Sequence, residues 1–342
     1  MNSSLPITFI SQKDLIDAGC FNYKEAIKVC ENALIAYNNG DVIYPDKTSI
    51  IFDEKSQSRI NCLPAGFKSK KIYGAKWVSV FPDNPYKYAL PNVNAIIILS
   101  EILHGLPFAF LDATMLTNIR TAAMSAIAAK NLLHIVPYEI GLIGSGEQAK
   151  SHFLAMKSIF PSIKKCKVSS KDKNSISLFI SQMKNFYSDV EYIDCSNSYK
   201  TAVEDVDIII TAISGQEQIL KFDWIKQSNV FYAHVGGIED EYSVAQNASK
   251  IVCDDWHSVK GRKQTISIMY HNGLLNDDDI YCNLYEIVSG TKEGKNTEDK
   301  LIYYNGVGLS YIDVAIADWA YNRAITKNIG TNFYFSNKSM FD

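Results

Sequence analysis

Between the apolar run EIGLI and a helix-forming stretch over 148–160, the residues Gly144-Ser145-Gly146-Glu147-Gln148-Ala149 are spaced as G-x-G-x-x-A. The first glycine of such a pattern permits a tight turn. The second lets backbone approach a pyrophosphate, and the third small residue lets the helix rest on the strand. The N–H groups at the helix start then face the phosphates. A lone match is weak, but here an apolar strand precedes it, a helix follows it, and a second strand comes at 166–170. The chemistry implied is the gripping of NAD or NADP by Gly144, Ser145, Gly146, Glu147 and Gln148. At the end of the second strand stand Ser169, Ser170 and Lys171. An acid there would accept from the 2′-hydroxyl of NAD, whereas Ser170 and Lys171 suit the 2′-phosphate of NADP. Asp172 keeps the NAD alternative open. Thr211, closing the run DVDIIIT, is a further expected cofactor contact.

A second group of residues is cationic. Arg59 opens RINCLP, Lys76 is centred in YGAKWVSV, and Arg120 begins RTAA. Strand alternation puts Ala75 and Trp77 on one face and Lys76 on the other. A lysine inside an apolar strand is costly unless it meets solvent or an anion. Taken singly, each cation is more simply a solvated or structurally paired group. Together they suit a carboxylate-bearing substrate, because guanidinium forks match carboxylate geometry. Lys47 is a weaker fourth member. Glu239, Asp240 and Glu241 follow the strand VFYAHVGG, at the carboxyl end where open α/β sheets bind ligands. Glu239 or Asp240 is therefore a candidate general base. The competing reading is an acid favoured by a helix N-terminus. Lys76 joins them as a candidate catalytic residue. Asp254-Asp255-Trp256 reads as structural, and His234 as a core histidine. Asp313, after the turn NGVG, either caps the last helix or joins the chemistry.

The elements that must hold these residues are legible in outline. Residues 11–39 read as helical, with Ser11 and Asp14 spaced as a capping box. Segments 59–64, 72–80 and 94–99 read as strands, and 81–92, with three prolines, as a loop. The alanine-rich stretch 112–133 suits a long, closely packed helix. Beyond Pro137, apolar strands at 139–144, 165–170, 205–211, 229–235 and 251–253 alternate with helices, which argues a parallel sheet with helices on both faces. The fold class is α/β: a doubly wound Rossmann-type domain at about 121–312 plus an α+β domain at 1–120. Residues 313–342, opening with an amphipathic helix at 313–323, return to the latter.

Composition excludes several classes. The net charge of −3 over 342 residues points to neither nucleic acid nor an anionic membrane as partner. No apolar run approaches about 18 residues, and the N-terminus lacks a signal peptide's charged and apolar regions. Seven widely spaced cysteines, none in a C-x-x-C pair, argue against a metal site and fit reduced thiols in a cytoplasm.

GAKWV with the following DNP, IRTAAMSAIAA, IGSGEQA, DVDIIITA, and NGVG with Asp313 together resemble the ornithine cyclodeaminase/μ-crystallin family over nearly the whole chain. RINCLP, KWVSVFPDNP, VCDDW and NIGT resemble its branch of N-(2-amino-2-carboxyethyl)-L-glutamate dehydrogenases, which serve 2,3-diaminopropionate (siderophore or antibiotic) biosynthesis. The resemblance implies a homodimer built on the first domain, with Lys76 and Arg120 on a substrate carboxylate and Thr121 near the nicotinamide. It also implies oxidative cleavage of that secondary amine to 2-oxoglutarate and L-2,3-diaminopropionate. Asn61 and Leu63 stand where ornithine cyclodeaminases carry glutamate and methionine, which argues against an ornithine pocket. The alternatives are a cyclodeaminase, a ketimine reductase or amino-acid dehydrogenase, and a crystallin-type NAD(P)H-binding protein without turnover.

Overall fold

The computed structural model describes residues 5–196 and 198–335. Two compact units divide the chain: Met1–Arg120 with Leu309–Asp342, and Thr121–Gly308. The tail beyond residue 335, part of the segment expected to return to the first domain, lies outside the described residues.

The first unit is built on β1 (Leu5–Ile10), β2 (Val42–Ile43), β3 (Thr48–Asp53), β4 (Ser58–Phe67), β5 (Ile72–Val80), β6 (Val93–Glu101) and β7 (Pro107–Asp112). The last strand, Thr331–Phe335, pairs antiparallel with β1. Across the sheet the order is last strand, β1, β7, β6, β5, β4, β2, with β3 also on β4. Only the β1–β7 pairing in this unit is parallel among the described residues. Alternation sorts the side chains. Leu63, Ala65, Val78, Ile97, Leu99 and Leu111 are buried on one face, over which the helix Ser310–Thr326 packs on β4, β5 and β6. The opposite face carries Phe9, Tyr73, Trp77 and Ile96, all exposed. The helix Tyr23–Asn38 packs against Ser310–Thr326.

Three sequence expectations need correction here. Residues 11–39 form two helices, Gln12–Asp17 and Tyr23–Asn38. The Ser11 capping box is present, but Gly19 adopts φ +81, and the Cys20 N–H turns back to the Leu15 carbonyl, ending the first helix. The proline-rich loop contains one helical turn, Asn84–Lys87, because proline is tolerated at a helix start. The last helix begins at Ser310, and Ser310–Ala317 are buried on every side, so its first half is not amphipathic.

The second unit holds β8 (Glu139–Ile143), β9 (Lys165–Ser169), β10 (Glu191–Asp194), β11 (Ile208–Thr211), β12 (Val230–His234), β13 (Lys250–Cys253), β14 (Cys282–Asn283) and β15 (Leu301–Asn305). They form one sheet in the order β10-β9-β8-β11-β12-β15-β13-β14, and every pairing in it is parallel. This is the doubly wound sheet expected from the alternating elements. β8, β11, β12 and β13 read as apolar runs because both sheet faces are covered: β11, β12 and β13 are buried throughout. The helix Glu147–Ile159 follows β8 and packs on β8 and β11. No helix among the described residues is long and apolar enough to cross a membrane.

Candidate functional site

In the first unit, β5 places Lys76 opposite Leu63 on β4 and Ile97 on β6, on the buried face. Its side chain is 1% exposed, and Nζ donates to Asp313 Oδ1 at 2.7 Å. Arg120 Nε donates to the same oxygen at 2.9 Å. Asp313 is itself buried, and its Oδ2 accepts no hydrogen bond among the described residues. The capping alternative for Asp313 is thereby overturned. It is the fourth residue of its helix, Leu309 is the N-cap, and its carboxylate serves two cations instead. These three side chains carry one net positive charge in a buried place, an arrangement that favours a further anion.

Arg59 lies on the same face of β4, four residues from Leu63. Its Nη1 donates to the Gln57 carbonyl at 2.7 Å, while Nε is buried with no hydrogen-bond partner among the described residues. Burial pulls its pKa below the ordinary arginine value. Lys47, half-buried, immediately precedes β3. The structure therefore joins Lys76 and Arg120 through one carboxylate, and Arg59 shares only their sheet face.

In the second unit, the glycine turn sits between β8 and its helix. Gly144 has φ +111, and a Cβ there would lie 2.4 Å from the Ala212 carbonyl oxygen, so only glycine fits. Gly146 is the helix N-cap with no side-chain cap, and a Cβ on it would meet nothing within 4 Å. Open space in front of uncapped N–H groups is what a pyrophosphate needs, so the turn fits a dinucleotide. Ser145 is buried, its Oγ 2.5 Å from Ser175 Oγ. Glu147 is exposed and pairs with Lys150. Gln148 and Thr121 are partly buried. Ser170 Oγ lies 3.5 Å from Ser175 Oγ, and Lys171 pairs with Glu217 Oε2 at 2.8 Å. Asp172 is occupied as a cap, accepting from Asn174 N–H.

The two acids proposed as bases are buried. Glu239 accepts from Thr211 Oγ1 (2.7 Å), Ile213 N–H (2.9 Å), Val235 N–H (3.2 Å) and Gly236 N–H (2.9 Å). Its backbone carbonyl accepts from Ile219 and Leu220 N–H, both at 3.0 Å. Glu239 thus ties both ends of the segment 213–220 to the turn after β12. Thr211 is fully buried, its hydroxyl shared between Glu239 and Tyr232. Asp240 accepts from Tyr303 Oη and lies 3.4 Å from His234 Nε2, and burial pushes its pKa up to about 6. His234 is fully buried and stacked on Tyr303, a core histidine as expected, but its Nδ1 has no hydrogen-bond partner among the described residues.

Asp254 is structural, as read from the sequence. Its Oδ2 accepts from Val307 N–H (2.9 Å) and Gly308 N–H (2.8 Å), holding the turn after β15. Burial raises its pKa to about 6 from the ordinary 3.8, against the opposing backbone hydrogen bonds. A carboxyl raised in the folded state binds its proton more tightly there than in the unfolded chain. Its contribution to stability is present below about pH 4 and lost as pH rises through about 6. Asp254→Asn should remove that slope of about one proton between pH 4 and 6 in urea unfolding free energies. An unchanged slope would assign the titration elsewhere.

Residues 11–328 match the ornithine cyclodeaminase/mu-crystallin family. The N-((2S)-2-amino-2-carboxyethyl)-L-glutamate dehydrogenase of Staphylococcus aureus (strain NCTC 8325 / PS 47) is 25% identical over 327 residues, covering 94% of this chain and 97% of that protein. The Delta(1)-pyrroline-2-carboxylate reductase of Thermococcus litoralis, solved in complex with NADH and L-proline, is 28% identical, with a TM-score of 0.89 over 96% of this chain and 100% of that one. An archaeal alanine dehydrogenase dimer with bound NAD is 26% identical, with a TM-score of 0.86 over 97% of this chain and 100% of that one. With that match over nearly its whole length, the chain belongs to the ornithine cyclodeaminase/mu-crystallin family.

Proposed function

We propose that the protein is an NAD-linked oxidoreductase acting on the carbon–nitrogen bond of an amino-acid-derived substrate, N-(2-amino-2-carboxyethyl)-L-glutamate. The observation that carries this reading is the buried net positive charge of Lys76, Arg120 and Asp313. The substrate has three carboxylates. Lys76 and Arg120 would anchor the one next to the carbon being oxidised, and Arg59 suits another. Lys47 is kept as an outer contact. Fixing that carbon favours the attack geometry. Bound NAD⁺ supplies a hydride acceptor. Loss of the glutamate α-hydrogen as hydride, with the amine proton released, leaves a carbon–nitrogen double bond in the substrate. Water adds to it, and cleavage gives 2-oxoglutarate and L-2,3-diaminopropionate.

Gly144, Ser145, Gly146, Glu147, Gln148, Thr121, Ser170 and Lys171 remain the proposed cofactor residues. Thr211 and Glu239 act in this reading by holding the loop at 213–220. Asp240, as buried as Glu239, is kept as the candidate base: burial raises its carboxyl to about 6, and its Oδ1 lies 3.4 Å from His234 Nε2.

The exposed apolar face of the first unit's sheet, with Phe9, Tyr73, Trp77 and Ile96, supports a homodimer. Sedimentation at twice 38.3 kDa would agree with it.

The direct test is incubation with NAD⁺ and the secondary amine, following NADH absorbance and 2-oxoglutarate together. Equal yields of both are expected. Reduction of pyrroline-2-carboxylate by NADH, without turnover of the amine, would replace this substrate by a cyclic imino acid. No turnover of any such substrate would leave a binding protein.

A further inference from the structure

We infer that Glu217 is the residue that makes this chain prefer NAD to NADP, through its pairing with Lys171; the inference rests on the dinucleotide reading of the glycine turn. The segment after β9 carries one acid, Asp172, and its Oδ1 accepts from the Asn174 N–H. Ser169 and Ser170 are followed by Lys171, and the Asp172 carboxylate caps the next helix. A lone lysine there would attract the 2′-phosphate of NADP.

The structure supplies an acid from elsewhere. β9 and β11 are the two neighbours of β8, and all three run parallel, so their carboxyl ends share one sheet edge. Strands one apart in the order are separated by about 10 Å. Lys171 follows the end of β9 by two residues, Glu217 follows the end of β11 by six, and their side chains meet at 2.8 Å. The pair therefore joins the strand ends on either side of the glycine turn, in the region where the adenosine end of a dinucleotide must lie.

Glu217 is not on a loose arm. Glu239 holds Ile213 before it and Ile219 and Leu220 after it. Between them, Gln216 lies so close to Gly237 that a Cβ there would come within 2.2 Å of its Nε2. With Glu217 in place the lysine is neutralised, and a 2′-phosphate would be met by a carboxylate. The 2′-hydroxyl of NAD carries no charge to be repelled and can donate to that carboxylate.

Titrating wild type and Glu217→Gln with NADH and NADPH, read by nicotinamide fluorescence, tests this. Wild type should bind NADH more tightly than NADPH. Glu217→Gln should tighten NADPH by roughly tenfold, while moving NADH by less than about threefold. Adding Lys171→Ala should abolish the NADPH gain. A Glu217→Gln variant that changes both cofactors equally, or neither, overturns the role of Glu217 while leaving the dinucleotide reading intact. Failure of the wild type to bind either cofactor overturns both. Both side chains are exposed, so folding of the variants is not at stake.

Discussion

Asp313→Ala is expected to lower the unfolding free energy by about 3–5 kcal/mol, because it strips the counter-charge from two buried cations. Lys76 Nζ and Arg120 Nε both donate to the one oxygen Oδ1, and Lys76 and Asp313 are each 1% exposed. Removing the carboxylate leaves two like charges, each at least nine-tenths buried, without their shared counter-charge. Asp313→Asn keeps an oxygen acceptor but not the charge, so its loss should be smaller. Urea denaturation midpoints for the two variants measure this. A wild-type midpoint for Asp313→Ala would mean that the cations find other partners, and the charge argument for the site would fall.

Lys76→Met should behave in the opposite way: stability is retained and activity is lost. Methionine fills much of the lysine's volume on the apolar face, and the remaining Arg120–Asp313 pair is balanced in charge. Stability should stay within about 1 kcal/mol of wild type. The site would lose the excess positive charge that a substrate carboxylate requires. Truncating one partner of a buried charge pair costs about 2–5 kcal/mol, so kcat/KM should fall by about 100-fold or more. Most of that fall should appear in KM, since the anchor acts on bound substrate and transition state alike. NADH binding should be unchanged. Activity of Lys76→Met near wild type would refute the anchor assignment; a collapse of its stability would assign Lys76 a structural role.

Much of the site was legible because local chemistry marks it. The spacing of Gly144, Gly146 and Ala149 encodes a strand–turn–helix, and φ +111 at Gly144 is the conformation such a turn requires. A lysine in the middle of YGAKWVSV was conspicuous because strand alternation aims it at the apolar face. The helix at 114–132 and the parallel strands β8, β9, β11, β12 and β13 followed from periodicity and apolar runs. The strands at 5–10, 42–43, 48–53, 107–112, 191–194, 282–283, 301–305 and 331–335 were not read from the sequence, since runs of two to six residues carry too little pattern to distinguish them from loop.

By itself, then, the sequence determined the fold class, the nucleotide turn and which cations were out of place. Only the tertiary structure decided the partners. Asp313 is 237 residues from Lys76, and its choice between helix cap and ion pair depended on a helix packing back over β5. Glu239 looked like an accessible base after a Gly-Gly turn, yet the loop at 213–220 folds onto it and occupies its oxygens. Glu217, 46 residues from Lys171, had no local signal at all. Charge pairing is set by distance in space, and a chain's local pattern holds no information about which distant carboxylate the sheet order will bring alongside.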